Sequence, residues 1–225
     1  MRESVEYPRV TEGTQRLEAF SDGVFAISIT LLVITLQIPH LRDPIKDSLG
    51  AALLGWWPQY LSFFISFLNV GIVWANHHEM FRFIKRSNHI FLLINLFLLM
   101  FITLMPYSTS LLGEYLKENG NQIPATAVYS GTLLGMAVMF NAVWLYAVKR
   151  QLIDDRCNLE AVGFMTRSHL LGPLLFGIAF ILAFIWYPAT LILDTLASVL
   201  FLMPTTSRPI YLPQKHYHTQ PTENN

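Results

Sequence analysis

The feature that most constrains this chain is the run from Arg16 to Ile38. Between Gly23 and Leu36 it carries no charged side chain, and with its flanks it is long enough to cross a bilayer. In hydrocarbon, backbone N–H and C=O groups have only each other as partners, so such a run must be helical. It is not a plain apolar anchor, however. Ser21, Ser28, Thr30 and Thr35 thread hydroxyls along it, and Asp22 sits just inside its start. Phe20, Val24, Ile27, Leu31, Ile34 and Ile38 recur at spacings of three and four, which gathers bulky side chains on one helical face. A helix that only meets lipid needs neither the hydroxyls nor the acid, so this one is expected to face something else.

The rest of the chain supports a membrane protein. Of its 225 residues, 53% are hydrophobic and 13% charged, with a mean hydropathy of +0.42. Soluble domains carry about twice that charged fraction, and here the charges fall in short patches between long apolar runs. The expected fold class is therefore an all-α integral membrane protein. A net charge of zero gives no electrostatic reason to expect nucleic acid. A single cysteine, Cys157, excludes an intrachain disulfide and a cysteine metal cage. The N-terminal residues lack the apolar core of a cleavable signal peptide, so the first segment is expected to remain in the mature protein.

Six membrane segments are predicted, near 19–38, 51–75, 89–112, 126–148, 168–186 and 188–203. They divide the chain into a cytoplasmic segment over 1–18, a six-helix domain over 19–203 and a disordered cytoplasmic tail over 204–225. Trp56-Trp57 opens the second segment as an interfacial pair, and Pro58 marks or bends its first turn. Small residues in the fourth (Gly131, Gly135, Ala137, Ala142) allow close helix approach. The turn Trp186-Tyr-Pro-Ala-Thr190 makes the last two segments a tight hairpin. With the N-terminus inside, the cytoplasmic side holds twelve Lys and Arg, against Arg42, Lys46 and Lys117 on the other side. That bias puts both termini in the cytoplasm.

Candidate chemistry is sparse. Ser130-Gly131 and His169 have no surrounding motif that would organise a serine protease, so no enzyme is expected. His77 and His78 are adjacent and point about 100° apart on a helix, whereas metal-binding helices use i,i+3 or i,i+4 spacing. No metal and no cofactor are expected. Asn69, Asn76 and Asn95 read as interhelical hydrogen-bond donors. Arg16, Asp22 and His77 should share one membrane depth near the cytoplasmic ends of the first two segments. A membrane acid is costly unless paired, so a polar cluster among the three is expected to lock those helices, with gating or pH sensing as the other role. A transporter would show broken helices, an internal repeat and mid-membrane charge, and none of these is expected. A pore formed by copies of one helix needs less. Ile27, Leu31 and Ile34, at i, i+4 and i+7, offer such a lining, although periodicity by itself favours ordinary helix packing.

Two motifs break that balance. Arg16, Phe20-Ser21-Asp22-Gly23-Val24-Phe25-Ala26-Ile27 and Thr30-Leu31-Leu32-Val33 resemble the signature of the transmembrane protein 175 family, the endosomal and lysosomal potassium channels and their bacterial relatives. Trp74-x-x-His77-His78-x-x-Phe81 is a second match, and the layout fits across about residues 14–203. The resemblance implies a single-repeat, bacterial-type member that forms a homotetramer, with the first helix of each subunit lining a central pore and no re-entrant loop. It implies constriction and selectivity rings at Ile27, Leu31 and Ile34, with Ile27 nearest the cytoplasm and the hydroxyls of Ser28 and Thr30 close by. It also implies that Arg16, Asp22, Trp74 and His77 form one structural or gating network. The expected function is passive, weakly selective potassium conduction across the cell membrane, with potassium and other monovalent cations as the permeant species and membrane lipid as the surroundings. A proton-coupled secondary cation transporter using Asp22 and His77 is the alternative.

Overall fold

The computed structural model describes residues 13–38 and 48–202. Among these residues the fold is a helical bundle. Helix α1 spans Gln15–Leu31 and tightens into a 3-10 turn over Leu32–Thr35, whose last hydroxyl bonds back to the Leu32 carbonyl at 2.7 Å. There follow α2 (Leu49–Gly55), α3 (Trp57–Phe83), α4 (His89–Tyr115), α5 (Gln122–Lys149), α6 (Leu159–Ala183) and α7 (Tyr187–Leu200). The predicted tail over 204–225 and most of the N-terminal segment lie outside the described residues.

Among the described residues the regular structure is all helical, and five helices are long and apolar enough to cross a membrane: α1 with its 3-10 turn, α3, α4, α5 and α6. The sixth predicted segment is the fourteen-residue α7. At ~1.5 Å per residue it measures about 21 Å, short of the ~30 Å hydrocarbon core. The second predicted segment is two helices, broken at Trp56. Pro58 sits in the first turn of α3, where its missing N–H is no loss. Two ends also move outward. Helix α3 continues to Phe83, beyond the expected 75, and α6 begins at Leu159, ahead of the expected 168. Polar residues on these turns hide helix that apolar runs do not mark.

The core lies among α3, α4, α5 and α6, around the fully buried Phe83, Phe91, Leu98, Ile102, Tyr129 and Trp144. In lipid, helix association draws on packing rather than water exclusion, so close approach matters. Gly113 of α4 lies against Ser62 and Gln59 of α3, and Gly135 of α5 against the Phe101 ring of α4. At one end of the bundle the α3–α4 and α5–α6 connections clasp each other. Ile84 and Ile153 pair as an antiparallel bridge, Asp154 N–H donates to the Phe83 carbonyl at 2.9 Å, and Arg86 pairs with Asp155. The hydroxyl of Thr14, ahead of α1, reaches the Ile84 carbonyl at 3.4 Å, so the start of α1 shares that end. At the opposite end Lys117 bonds the Gly55 carbonyl and sits over the Trp57 ring.

Candidate functional site: the two faces of the first helix

Helix α1 has two distinct faces. Ser21, Phe25, Ser28 and Leu32 recur at i, i+4, i+7 and i+11 and are buried against the subunit's own core. Bulky residues dominate the outward face. Ile27 is 60%, Leu31 42% and Ile34 70% exposed, and Phe20 and Ile38 are exposed with them. Packing within the subunit, the reading that periodicity favours, is therefore not what this stripe does. The small Ser21 and Ser28 let α1 approach α3 and α4 closely and leave the large side chains pointing away.

The predicted hydroxyls separate. Thr30 lies on the outward face, with its hydroxyl donating to the carbonyls of Ala26 and Ile27, each at 2.9 Å. The proton is thus held on the helix while the oxygen lone pairs remain free to meet a cation. Ser28, by contrast, is buried, and its oxygen has no hydrogen-bond partner among the described residues. One residue on from Ile27 is a rotation of about 100°, which carries Ser28 off the outward face.

The expected four-residue cluster is two pairings plus an outlier. Trp74 Nε1–H of α3 donates to Asp22 Oδ1 of α1 at 2.9 Å. His77 Nε2 meets Asn95 Oδ1 of α4 at 3.1 Å, and the Asn95 amide donates to Ser21 Oγ at 3.0 Å, so one buried asparagine ties three helices together. The His77 ring is walled by Phe25 at 5.4 Å and Phe81 at 4.5 Å between centroids. Arg16 is exposed and forms no ion pair with Asp22 among the described residues. Six residues of α-helix put the two about 120° apart, so Arg16 falls with the outward stripe. Sequence reasoning left Ser21 and Asn95 out of the network. The available signal was a lone asparagine in the most apolar helix, an expensive residue to bury without a partner.

A second polar seam runs away from α1. Thr109 of α4 donates to Ser66 of α3 at 2.7 Å, and Ser66 meets Tyr129 of α5 at 3.2 Å. Ser198 of α7 donates to Asn69 of α3. Asp194, buried in α7, accepts from Ser130 of α5 at 3.3 Å. Sequence reasoning did not single out Asp194, an acid that the short apolar helix α7 carries between Ile192 and Leu196. Asn69 and Asn76 do bridge helices as expected, the latter by donating to the Phe201 carbonyl at 3.0 Å. Among the described residues no group of three His, Cys, Asp or Glu is placed to hold a metal ion.

The chain resembles known proteins along nearly its whole length. The family model described as endosomal/lysosomal potassium channel TMEM175 matches residues 16–106. A protein of Chamaesiphon minutus named a potassium channel is 40% identical over 80% of this chain and 89% of its own length. A Streptomyces collinus protein of the same description is 38% identical over 78% of this chain and 85% of its own. The human protein named endosomal/lysosomal proton channel TMEM175 is 31% identical over 70% of this chain and 32% of its own length. Among solved structures, the potassium-selective TMEM175 homologue from Chamaesiphon minutus superposes with a TM-score of 0.78 at 36% identity, covering 86% of this chain and 98% of that one.

Proposed function

The chain belongs to the family of the endosomal/lysosomal potassium channel TMEM175, and from that membership we propose that it is a passive potassium channel whose first helix lines a central pore in a homotetramer. The observation that carries the pore assignment is the outward apolar line of α1. A helix held to its own subunit by its small face, with bulky side chains, a hydroxyl and Arg16 turned outward, is suited to meet copies of itself around an axis. Lipid contact alone gives no use to Thr30 or Arg16 on that face.

In this reading Ile27, Leu31 and Ile34 form three stacked constriction rings. They supply no ligand, so they discriminate by size and dewetting: potassium sheds water more cheaply than sodium and passes a narrow apolar gap more readily. The hydroxyl contribution is assigned to Thr30 rather than Ser28, because only Thr30 has its oxygen on the outward face. Asp22–Trp74 and Ser21–Asn95–His77 hold the pore helix at a fixed angle to α3 and α4. Selectivity without a carbonyl filter is expected to be weak. The α6–α7 hairpin completes a six-crossing topology, with the short α7 accommodated by local bilayer thinning. The end that gathers Thr14, Ile84 and Ile153 is assigned to the cytoplasm of the cell, on the Lys and Arg bias of the connections.

The test is a flux assay in liposomes loaded with potassium, with an impermeant cation outside and a pH-sensitive dye inside. Protein-dependent quenching that needs a protonophore reports potassium current. Quenching without it reports proton entry through the protein, the activity for which the vertebrate relatives are named. A slow, saturable, pH-coupled flux supports the transporter alternative. Potassium flux from the tetramer that is unchanged by substitution at all three ring positions overturns the pore assignment.

A further inference from the structure

Helices α3, α5, α6 and α7 enclose an internal cleft of about 70 Å³ to which α1 contributes nothing. Its walls are mainly apolar, with Met136, Phe140 and Phe176 among them, and its polar groups are His169, Asn69, Asn76 and Ser198. Three of these four are occupied within the protein. Asn76 spends both amide hydrogens on the carbonyls of Ile72 and Phe201, each at 3.0 Å. Ser198 donates to Asn69 and to the Asp194 carbonyl, while the Asn69 amide donates to the Ile65 carbonyl at 3.1 Å.

His169 is different. It is 5% exposed, and neither ring nitrogen has a hydrogen-bond partner among the described residues. Its ring lies nearly perpendicular to Phe140 at 5.1 Å and to Trp144 at 5.4 Å between centroids, and the Trp144 N–H is itself donated to the Thr166 hydroxyl at 2.9 Å. A buried polar group left without a partner costs about 1–3 kcal/mol, so leaving the histidine unanswered is unfavourable. In either neutral tautomer the imidazole offers one donor and one acceptor. Among the described residues no charged side chain lines the cleft and its walls offer few oxygens, so an ion would lose more hydration than these walls return. A mostly apolar recess with one convergent polar group is the ordinary form of a small-molecule site.

We propose that this cleft is a binding site for a small uncharged alcohol, its hydroxyl hydrogen-bonded to His169 and its hydrocarbon end against Met136, Phe140 and Phe176. The site lies in the helices behind α1, so its occupancy acts on the packing of α3 rather than by plugging the pore.

The test is photolabelling of the full-length protein in liposomes with a diazirine analogue of 1-butanol, mapped by peptide mass spectrometry. Adducts should concentrate on the α5 and α6 peptides that carry Phe140 and Phe176, and excess 1-butanol should compete them away. His169→Phe keeps a ring of similar size but loses both nitrogens; it should weaken competition about fivefold, the scale of one neutral hydrogen bond. Gly172→Leu projects a side chain toward Ala137 and Phe201, whose atoms lie 3.6 Å from a Cβ there, and should abolish labelling by filling the cleft. Ala137→Leu serves the same purpose should that variant fail to assemble. Adducts spread evenly over lipid-facing residues overturn the site. Competition unchanged in assembled His169→Phe, or equal labelling by the diazirine analogue of butane, overturns the role of the hydroxyl.

Discussion

Trp74 Nε1–H donates to Asp22 Oδ1 at 2.9 Å and so joins α1 to α3 across a gap of 52 residues in sequence. Both partners are exposed in the isolated subunit, which leaves the bond as the group that sets the orientation of Asp22. An indole can donate only through this nitrogen. Trp74→Phe keeps the aromatic body and removes the donor. It should cost about 1 kcal/mol, the scale of a single interhelical bond in a membrane, read as a lower melting temperature of the purified channel. In the flux assay its potassium leak should differ from wild type, whereas Trp57→Phe at the opposite end should not alter it.

Asn95 is the joint of the other pairing, between His77 and Ser21. Asn95→Leu replaces it by an apolar side chain of similar size and strands two buried polar groups at once. The expected loss is about 2 kcal/mol, larger than for Ser21→Ala, which strands only one amide hydrogen. A thermal-stability comparison of the two variants checks the order. Equal or inverted losses contradict the three-helix joint.

Ile27, Leu31 and Ile34 predict a graded effect on conduction. On the proposed pore assignment, Ile27→Ala should raise potassium flux several-fold by widening the proposed constriction, and Ile27→Asn should in addition erode the preference for potassium over sodium by hydrating it. Thr30→Val, which keeps the shape and removes the oxygen, should reduce selectivity without widening the gap. The liposome flux assay measures the first, and reversal potentials in bi-ionic potassium and sodium solutions measure the other two.

Gly135 of α5 predicts a packing effect independent of conduction. A Cβ there would overlap the Phe101 ring of α4. Gly135→Ala should destabilise by about 1–3 kcal/mol, the usual penalty of overpacking. Phe101→Leu should restore part of the loss if the overlap is its cause. Gly163→Ala, where a Cβ meets open space, should be neutral or better by the same measurement.

At the clasped end, Asp154 accepts from the Arg156 side chain at 2.8 and 3.1 Å and from its backbone N–H at 3.0 Å, and these bonds hold its carboxyl down at about 2. A depressed carboxylate stabilises the fold above its unfolded value near 3.8 and loses that contribution as pH falls toward 2. Asp154→Asn should therefore lower thermal stability modestly at neutral pH, and the gap to wild type should close between pH 4 and 2. A gap that is constant with pH contradicts a charge-based role.

Which parts were legible in the sequence follows from what each signal reports. Hydropathy marks residues that tolerate lipid, so it located α1, α4 and α5 closely. It shortened α3 and α6, whose last and first turns carry Arg82 and Glu160. It joined α2 to α3 because Trp56 and Trp57 read as continuous apolar sequence. The pairing of Asp22 with Trp74 was expected from the motifs. The joint through Asn95 was not, since nothing in the spacing says which of the membrane asparagines faces α1.

By itself, the sequence determined an all-helical membrane protein, the family to which it belongs and the alternation of small and bulky residues along α1. Each rests on local chemistry or on motif identity. Only the tertiary structure decided which face of α1 is spent on its own subunit. The stripe of Ile27, Leu31 and Ile34 has the same period whether it packs inward or outward. The direction depends on Ser21, Phe25, Ser28 and Leu32 fitting against α3 and α4 more closely than the larger side chains would. The same holds for Arg16, Ser28 and His169. A helix fixes the angle between neighbouring side chains, but what lies at that angle is set by the helices packed around it.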